Sequence, residues 1–296
     1  MIDVRTADGL RLYAETHGPA KSKLTPLLCL AGLTRNAKDF EPLLTWLPRN
    51  RTIVAMDYRG RGRSDWSKDW KTYHPLQELE DAIALLDQLA IERVAVLGTS
   101  RGGIVAMLMA AVHGPRLVGA LLNDIGPRIE TAGLLRLART VGQANAFADW
   151  SAATAALKEM TPGFATLSER EWGAFARRIF RAEPSGVRYD YDPGVARGLP
   201  MLTADTVGAL PELWTQFAAL GTKPTAVLRA EHSDFLSADT VDRMKAVHPG
   251  LLTKTVAGRG HVPFLDEPEC RSTITEWLAA CDATYGSAPE QQKGPQ

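Results

Sequence analysis

Short apolar runs alternate with stretches of helical spacing along most of this chain. Leu27 to Leu30, Arg51 to Asp57, Arg93 to Leu97, Leu117 to Leu122, Thr225 to Ala230 and Leu251 to Val256 each read as a strand. The most apolar of them lack the polar alternation of a half-exposed strand, so they are expected to be buried on both faces. Between them, Leu79, Ile83, Leu86 and Leu89 recur at helical spacing. Segments 39–47, 238–248 and 270–280 also read as helices. This alternation predicts an α/β fold, a mostly parallel sheet with helices on both faces. The N-terminus differs: residues 4–7 and 10–15 flank the turn Asp8-Gly9 and read as a hairpin.

The alternation stops after Pro127. Residues 128–212 contain helical stretches at 134–141, 150–160 and 169–181 but no evident buried strand. The segment is rich in Trp, Phe, Tyr and Arg and reads as a helical cap, or lid, inserted over the sheet. That makes 1–127 and 213–285 the core domain. Residues 286–296 are polar, contain Pro and are expected to be a disordered tail. Most cap aromatics should simply pack the cap; Trp150 and Trp172 are the candidates for facing a pocket.

At 296 residues, the chain can bury a large core. Lys+Arg and Asp+Glu are both 34, a formal net charge of zero that argues against a nucleic-acid or anionic-membrane partner. No window approaches the ~18 uninterrupted apolar residues of a membrane span, and the first residues contain no signal-type apolar segment. Cys29, Cys270 and Cys281 lack metal-ligand spacing, so a reducing cytoplasm is the expected location. No metal or organic cofactor is implied. Gly60-x-Gly62 is not a dinucleotide fingerprint, because Asp65 stands at the third glycine position.

The chemistry concentrates in Gly98-Thr99-Ser100-Arg101-Gly102, between a strand and a buried helix. A serine hydroxyl needs a base to remove its proton and donors to hold the resulting oxyanion. A sharp strand-to-helix turn exposes Oγ, and the amide of Arg101 lies where helix N–H groups lack internal partners. The second oxyanion donor is expected at the turn Ala31-Gly32-Leu33-Thr34, from the Leu33 N–H. His261, in the glycine-containing loop after the last strand, is the candidate base. The acid that orients it should lie between serine and histidine in chain order. Asp234 is the first choice, just after the penultimate strand; Asp124 is the alternative for the same role, otherwise a substrate-pocket residue, and Glu231 is a third. Arg35, past the oxyanion turn, could line the pocket or cap a helix. Arg101 puts a cation at a helix N-terminus, against the helix dipole, and calls for a buried acid or an anionic substrate group beside it.

Together Gly98-x-Ser100-x-Gly102, Asp57-x-Arg-Gly-x-Gly-x-Ser64, Leu228-Arg-Ala-Glu-His-Ser-Asp234 and Gly260-His261 resemble the α/β-hydrolase superfamily, in its cap-bearing serine esterase/lipase-like branch. The resemblance spans residues 5–282. Many relatives carry His-Gly where this chain has Ala31-Gly32, and many have an uncharged residue at the position of Arg101. The resemblance implies a small-molecule carboxylic ester as substrate, of small to medium apolar or aromatic type, cleaved through an acyl-enzyme on Ser100. A C–C bond hydrolase of vinylogous diketones, a lactonase, and a non-catalytic small-ligand receptor share the same scaffold. Nothing in the sequence excludes a homodimer through the cap.

Overall fold

The computed structural model describes residues 2–142, 146–198 and 211–286. In chain order the core begins with β1 (Ile2–Arg5), β2 (Arg11–His17), β3 (Leu27–Leu30), α1 (Glu41–Trp46), β4 (Ile53–Met56), α2 (Pro75–Gln88), β5 (Val94–Thr99), α3 (Arg101–Val112) and β6 (Leu117–Asn123). Next come α4 (Thr131–Thr140), β7 (Ala146–Phe147), α5 (Trp150–Met160), α6 (Glu169–Ile179), β8 (Phe180–Glu183) and β9 (Gly186–Tyr189). The core then resumes with α7 (Trp214–Ala218), β10 (Thr225–Ala230), α8 (Ala238–Val247), β11 (Leu252–Val256) and α9 (Pro268–Gly286).

Eight strands form one sheet in the order β1-β2-β4-β3-β5-β6-β10-β11. The N-terminal hairpin joins it antiparallel, and every pairing from β4 to β11 is parallel. The apolar runs now have their reason. Leu28, Leu30, Val94 and Val96 enter one core layer with α2, α3, α7 and α8, while Leu27, Cys29, Ala95 and Leu97 enter the other with α1 and α9. A central strand covered twice has no solvent face to mark with a polar residue. Cys29, Cys270 and Cys281 are buried, free thiols within this second layer. Among the described residues no helix is long and apolar enough to cross a membrane.

The chain leaves the sheet after Pro127 and returns at Leu213, whose N–H donates to the Pro127 carbonyl at 2.7 Å. The residues between have a small core of their own, built on Ala153, Leu157, Phe164, Trp172, Phe175 and Phe180. The expectation of a purely helical insertion is corrected here. The helix expected to reach residue 181 ends at Ile179, and β7, β9 and β8 form a three-stranded antiparallel sheet. These strands are two to four residues long and their polar members pair locally, Arg181 and Arg188 with Glu183, so they carry no apolar run to announce them. Residues 199–210 of the expected cap, and 287–296 of the expected tail, lie outside the described residues.

The insertion is fixed to the strand ends by polar and aromatic contacts. Asp190 accepts from Lys38 Nζ at 2.8 Å and from Asn36 Nδ2 at 3.1 Å, and Phe164 stacks on Phe264 with ring centroids 5.2 Å apart. On the core side, Asp57 accepts from the Ala37 and Arg63 amides at 2.7 and 2.8 Å, joining the ends of β3 and β4. Burial pushes its carboxyl up to about 6 despite those two donors.

Candidate active site

The turn after β5 is tight because its glycines leave no alternative. A Cβ on Gly98 would lie 2.4 Å from the Gly102 backbone, and one on Gly102 would lie 2.0 Å from the Leu30 carbonyl oxygen. Ser100 between them has φ 51° and ψ −111°, a conformation unfavourable for any residue with a side chain. The turn is held by Ser100 N–H donating to the Asn123 carbonyl at 3.0 Å. Asn123 Nδ2 in turn donates to the Pro263 carbonyl at 3.1 Å, tying the end of β6 to the histidine loop. Arg259, Phe264 and Leu265 all donate to the Glu267 carboxylate, which clamps that loop from the other side.

These ties bring Ser100 Oγ within 2.9 Å of His261 Nε2. The other ring nitrogen, Nδ1, lies 2.8 Å from Asp124 Oδ2. Asp124 is fully buried at the end of β6, with φ 56°, and accepts from the Ala230 amide at 2.7 Å and from Ser233 Oγ at 2.8 Å. Phe235 stacks on the imidazole, centroids 3.9 Å apart and planes at 13°. A hydroxyl, an imidazole and a buried carboxylate aligned in this way can pass a proton from Oγ to the ring while the carboxylate fixes the tautomer and steadies the cation.

The placement of Asp234 as the partner of His261 is therefore corrected. Its carboxylate is turned into a two-bond pair with Arg136 of α4, at 2.6 and 2.9 Å. Burial pushes the Asp234 carboxyl up, but Arg136 outweighs it and holds the group below the ordinary carboxylate range. Glu231 accepts from the Gly258 amide at 2.8 Å and is exposed.

The turn at Gly32 approaches the serine closely: a Cβ there would sit 3.8 Å from Ser100 Cβ. Neither the Leu33 nor the Arg101 N–H is used to hold its own turn. Those bonds run from Arg35 N–H to Gly32 C=O, and from Gly103 and Ile104 N–H to Ser100 C=O. The two turns share one buried support. Arg101 Nε donates to Glu78 at 2.7 Å, Arg61 Nη2 donates to the other Glu78 oxygen at 2.7 Å, and Arg61 Nε holds the Leu33 carbonyl at 2.8 Å. Arg101 thus meets a buried acid rather than the cavity. Burial pushes the Glu78 carboxyl up, yet Arg101 and Arg61 keep it below its ordinary range. Replacing Glu78 by Gln leaves two guanidiniums without their shared counter-charge, and we expect a loss of roughly 3–5 kcal/mol in urea unfolding.

A cavity of about 170 Å³ opens onto Ser100 and His261 beneath the insertion, with Leu33, Leu137, Ile179, Phe235 and Phe264 among its walls. Arg35 lines it, paired with Asp39. Trp150 and Trp172 do not line it, which corrects their expected role. Trp172 is buried in the insertion's own core against Phe164 and Phe175, and Trp150 lies under the Arg177 guanidinium at 4.7 Å. Sequence reasoning missed Phe235, Arg136 and Arg178 in the wall. Phe235 is adjacent to Asp234 in the motif already singled out, so position alone could have suggested it. The two arginines lie on helices whose register toward the cavity only packing sets.

A mostly parallel sheet covered by helices, bearing a serine turn, a histidine loop and a buried carboxylate at its strand ends, is a hydrolase scaffold. Residues 27–269 match the model of the alpha/beta hydrolase family, and the chain belongs to that family. It is 29% identical over 261 residues to a 3-hydroxybutyrate-oligomer hydrolase of Cupriavidus necator, covering 86% of this chain and 88% of that one. It is 27% identical over 257 residues to a 2-(acetamidomethylene)succinate hydrolase of Mesorhizobium japonicum, with the same shares covered. Among solved structures, an alpha/beta hydrolase from Novosphingobium aromaticivorans superposes with a TM-score of 0.86 at 40% identity, covering 94% of this chain and 97% of that one.

Proposed function

We infer that the protein is a serine hydrolase that cleaves carboxylic esters of small to medium substrates through an acyl-enzyme on Ser100. The observation that carries this reading is the 2.9 Å approach of His261 Nε2 to an Oγ held on a strained turn at the mouth of a cavity. His261 takes the Ser100 proton as Oγ attacks the ester carbonyl. The Leu33 and Arg101 amides receive the oxyanion, and Asp124 keeps the imidazole in the tautomer that can accept the proton. His261 then protonates the departing alcohol, and water activated by the same ring releases the acid. The relative named as a 3-hydroxybutyrate-oligomer hydrolase supports an ester as the bond cleaved, since esters join hydroxy-acid units.

Rapid mixing with p-nitrophenyl butyrate should give a burst of p-nitrophenol equivalent to the enzyme. Acid quenching should then leave a butyryl group on the peptide containing Ser100. Neither burst nor acylated peptide from folded protein would remove the ester reading. The cavity also limits the acyl chain. We expect kcat/KM for p-nitrophenyl octanoate to fall roughly tenfold or more below that for the butyrate, because the extra methylenes overfill the walls.

A further inference from the structure

Arg35, Arg136 and Arg178 all line the cavity that opens onto Ser100. Two are neutralised at its wall, Arg35 by Asp39 and Arg136 by Asp234. Arg178, near the end of α6, differs. It is only 7% exposed, and it has no hydrogen-bond acceptor or ion-pair partner among the described residues. Its guanidinium rests on ring faces, 4.7 Å from the Phe264 centroid and 5.5 Å from that of Phe175. Rings hold the plane of a guanidinium but leave its five N–H donors unused. Those nitrogens are not among the sealed, unpartnered atoms of the core, so they keep some accessible surface in a residue that lines the cavity.

Burying this charge is costly. Burial pushes the guanidinium down from its ordinary range; Asp39, Glu41 and Asp266 oppose that without bonding to it, and Arg35, on the same Phe175 ring at 5.2 Å, adds to it. Attraction to the carbonyl end of α6 does not account for the position. Arg177, in the same turn, has that attraction while exposed over Trp150. An interior cation without a partner is expensive unless something supplies the opposite charge.

We propose that Arg178 is the recognition residue for a carboxylate carried by the substrate, so that the preferred substrates are small esters bearing one free carboxylate. A planar carboxylate matches the guanidinium fork. One guanidinium with no bonded acid among the described residues fits a single carboxylate. This subsite rests on the serine-hydrolase reading for its reaction but not for its binding.

The test pairs esters that differ by one carboxylate. Mono-p-nitrophenyl glutarate is set against p-nitrophenyl butyrate, which places the charge on the acyl side. 4-Acetoxybenzoate is set against phenyl acetate, which places it on the alcohol side. In Arg178→Met the charged-to-neutral ratio of kcat/KM should fall roughly 10–100-fold in one of the two pairs, carried by KM, and Arg178→Lys should recover part of it. The pair that responds identifies the side. Monomethyl glutarate, which carries one carboxylate, should bind to Ser100→Ala in calorimetry, and should not bind when Arg178→Met is added. Unchanged ratios in both pairs in a folded variant, or no binding of monomethyl glutarate to Ser100→Ala, would overturn the proposal. Carboxylate binding through Arg178 without turnover of any ester would instead keep the subsite and remove the esterase reading. Turnover of all four esters with no dependence on Arg178 would do the reverse.

Discussion

Ser100→Ala should lower kcat for p-nitrophenyl butyrate by about a million-fold, to a residue of activity owed to binding and oxyanion donors alone. The expectation follows from the proposed division of labour. Without Oγ there is no acyl-enzyme, and His261, 2.9 Å away, loses the group whose proton it would take. The loss should come without unfolding. Alanine at φ 51° bears the same backbone strain as serine, and the turn's support from the Asn123 carbonyl uses the backbone N–H. Ser100→Gly should be equally inactive but melt higher, because glycine accepts this conformation and relieves about 1 kcal/mol or more of strain. Turnover by titrated protein and thermal melts of the three proteins check both halves. An Ala variant within a hundredfold of the parent would mean that another group attacks the ester.

The serine turn and the core were legible because local rules and tertiary structure agree there. β3 and β10 have the expected ends, since an apolar run covered on both faces stops where the chain must turn. Gly98 and Gly102 are glycines because a Cβ on either would meet backbone, at 2.4 and 2.0 Å. The insertion was less legible. Its strands are short and their arginines, Arg181 and Arg188, pair with Glu183 a few residues away, so neither period nor charge runs disclose them. Glu78 could have been noticed as an acid beside Leu79 on an apolar helix face, the counter-charge that Arg101 required. Its second partner, Arg61, arrives from a loop that only the fold brings near.

The orienting acid was the hardest position to read. Asp124 and Asp234 both follow a sheet strand, and both lie between Ser100 and His261 in the chain, so order cannot separate them. What separates them is distant in sequence: the Ala230 amide and Ser233 hydroxyl aim Asp124 at His261, and Arg136 draws Asp234 away.

That separation sets the second large expectation. Asp124→Asn should reduce kcat about 10⁴-fold with little change in KM, because the amide favours the tautomer that leaves Nε2 protonated and unable to accept from Oγ. Asp234→Asn should keep kcat within roughly tenfold of the parent. It loses a partly exposed pair with Arg136, worth roughly 0–1 kcal/mol of stability, and leaves the His261–Asp124 contact in place. Steady-state kinetics of the two variants, with their melts, make the comparison. A collapse of kcat in Asp234→Asn together with a mild effect in Asp124→Asn would reverse the assignment. It would mean that the imidazole turns to the other carboxylate during the reaction and that Asp124 serves only to tie the ends of β6 and β10.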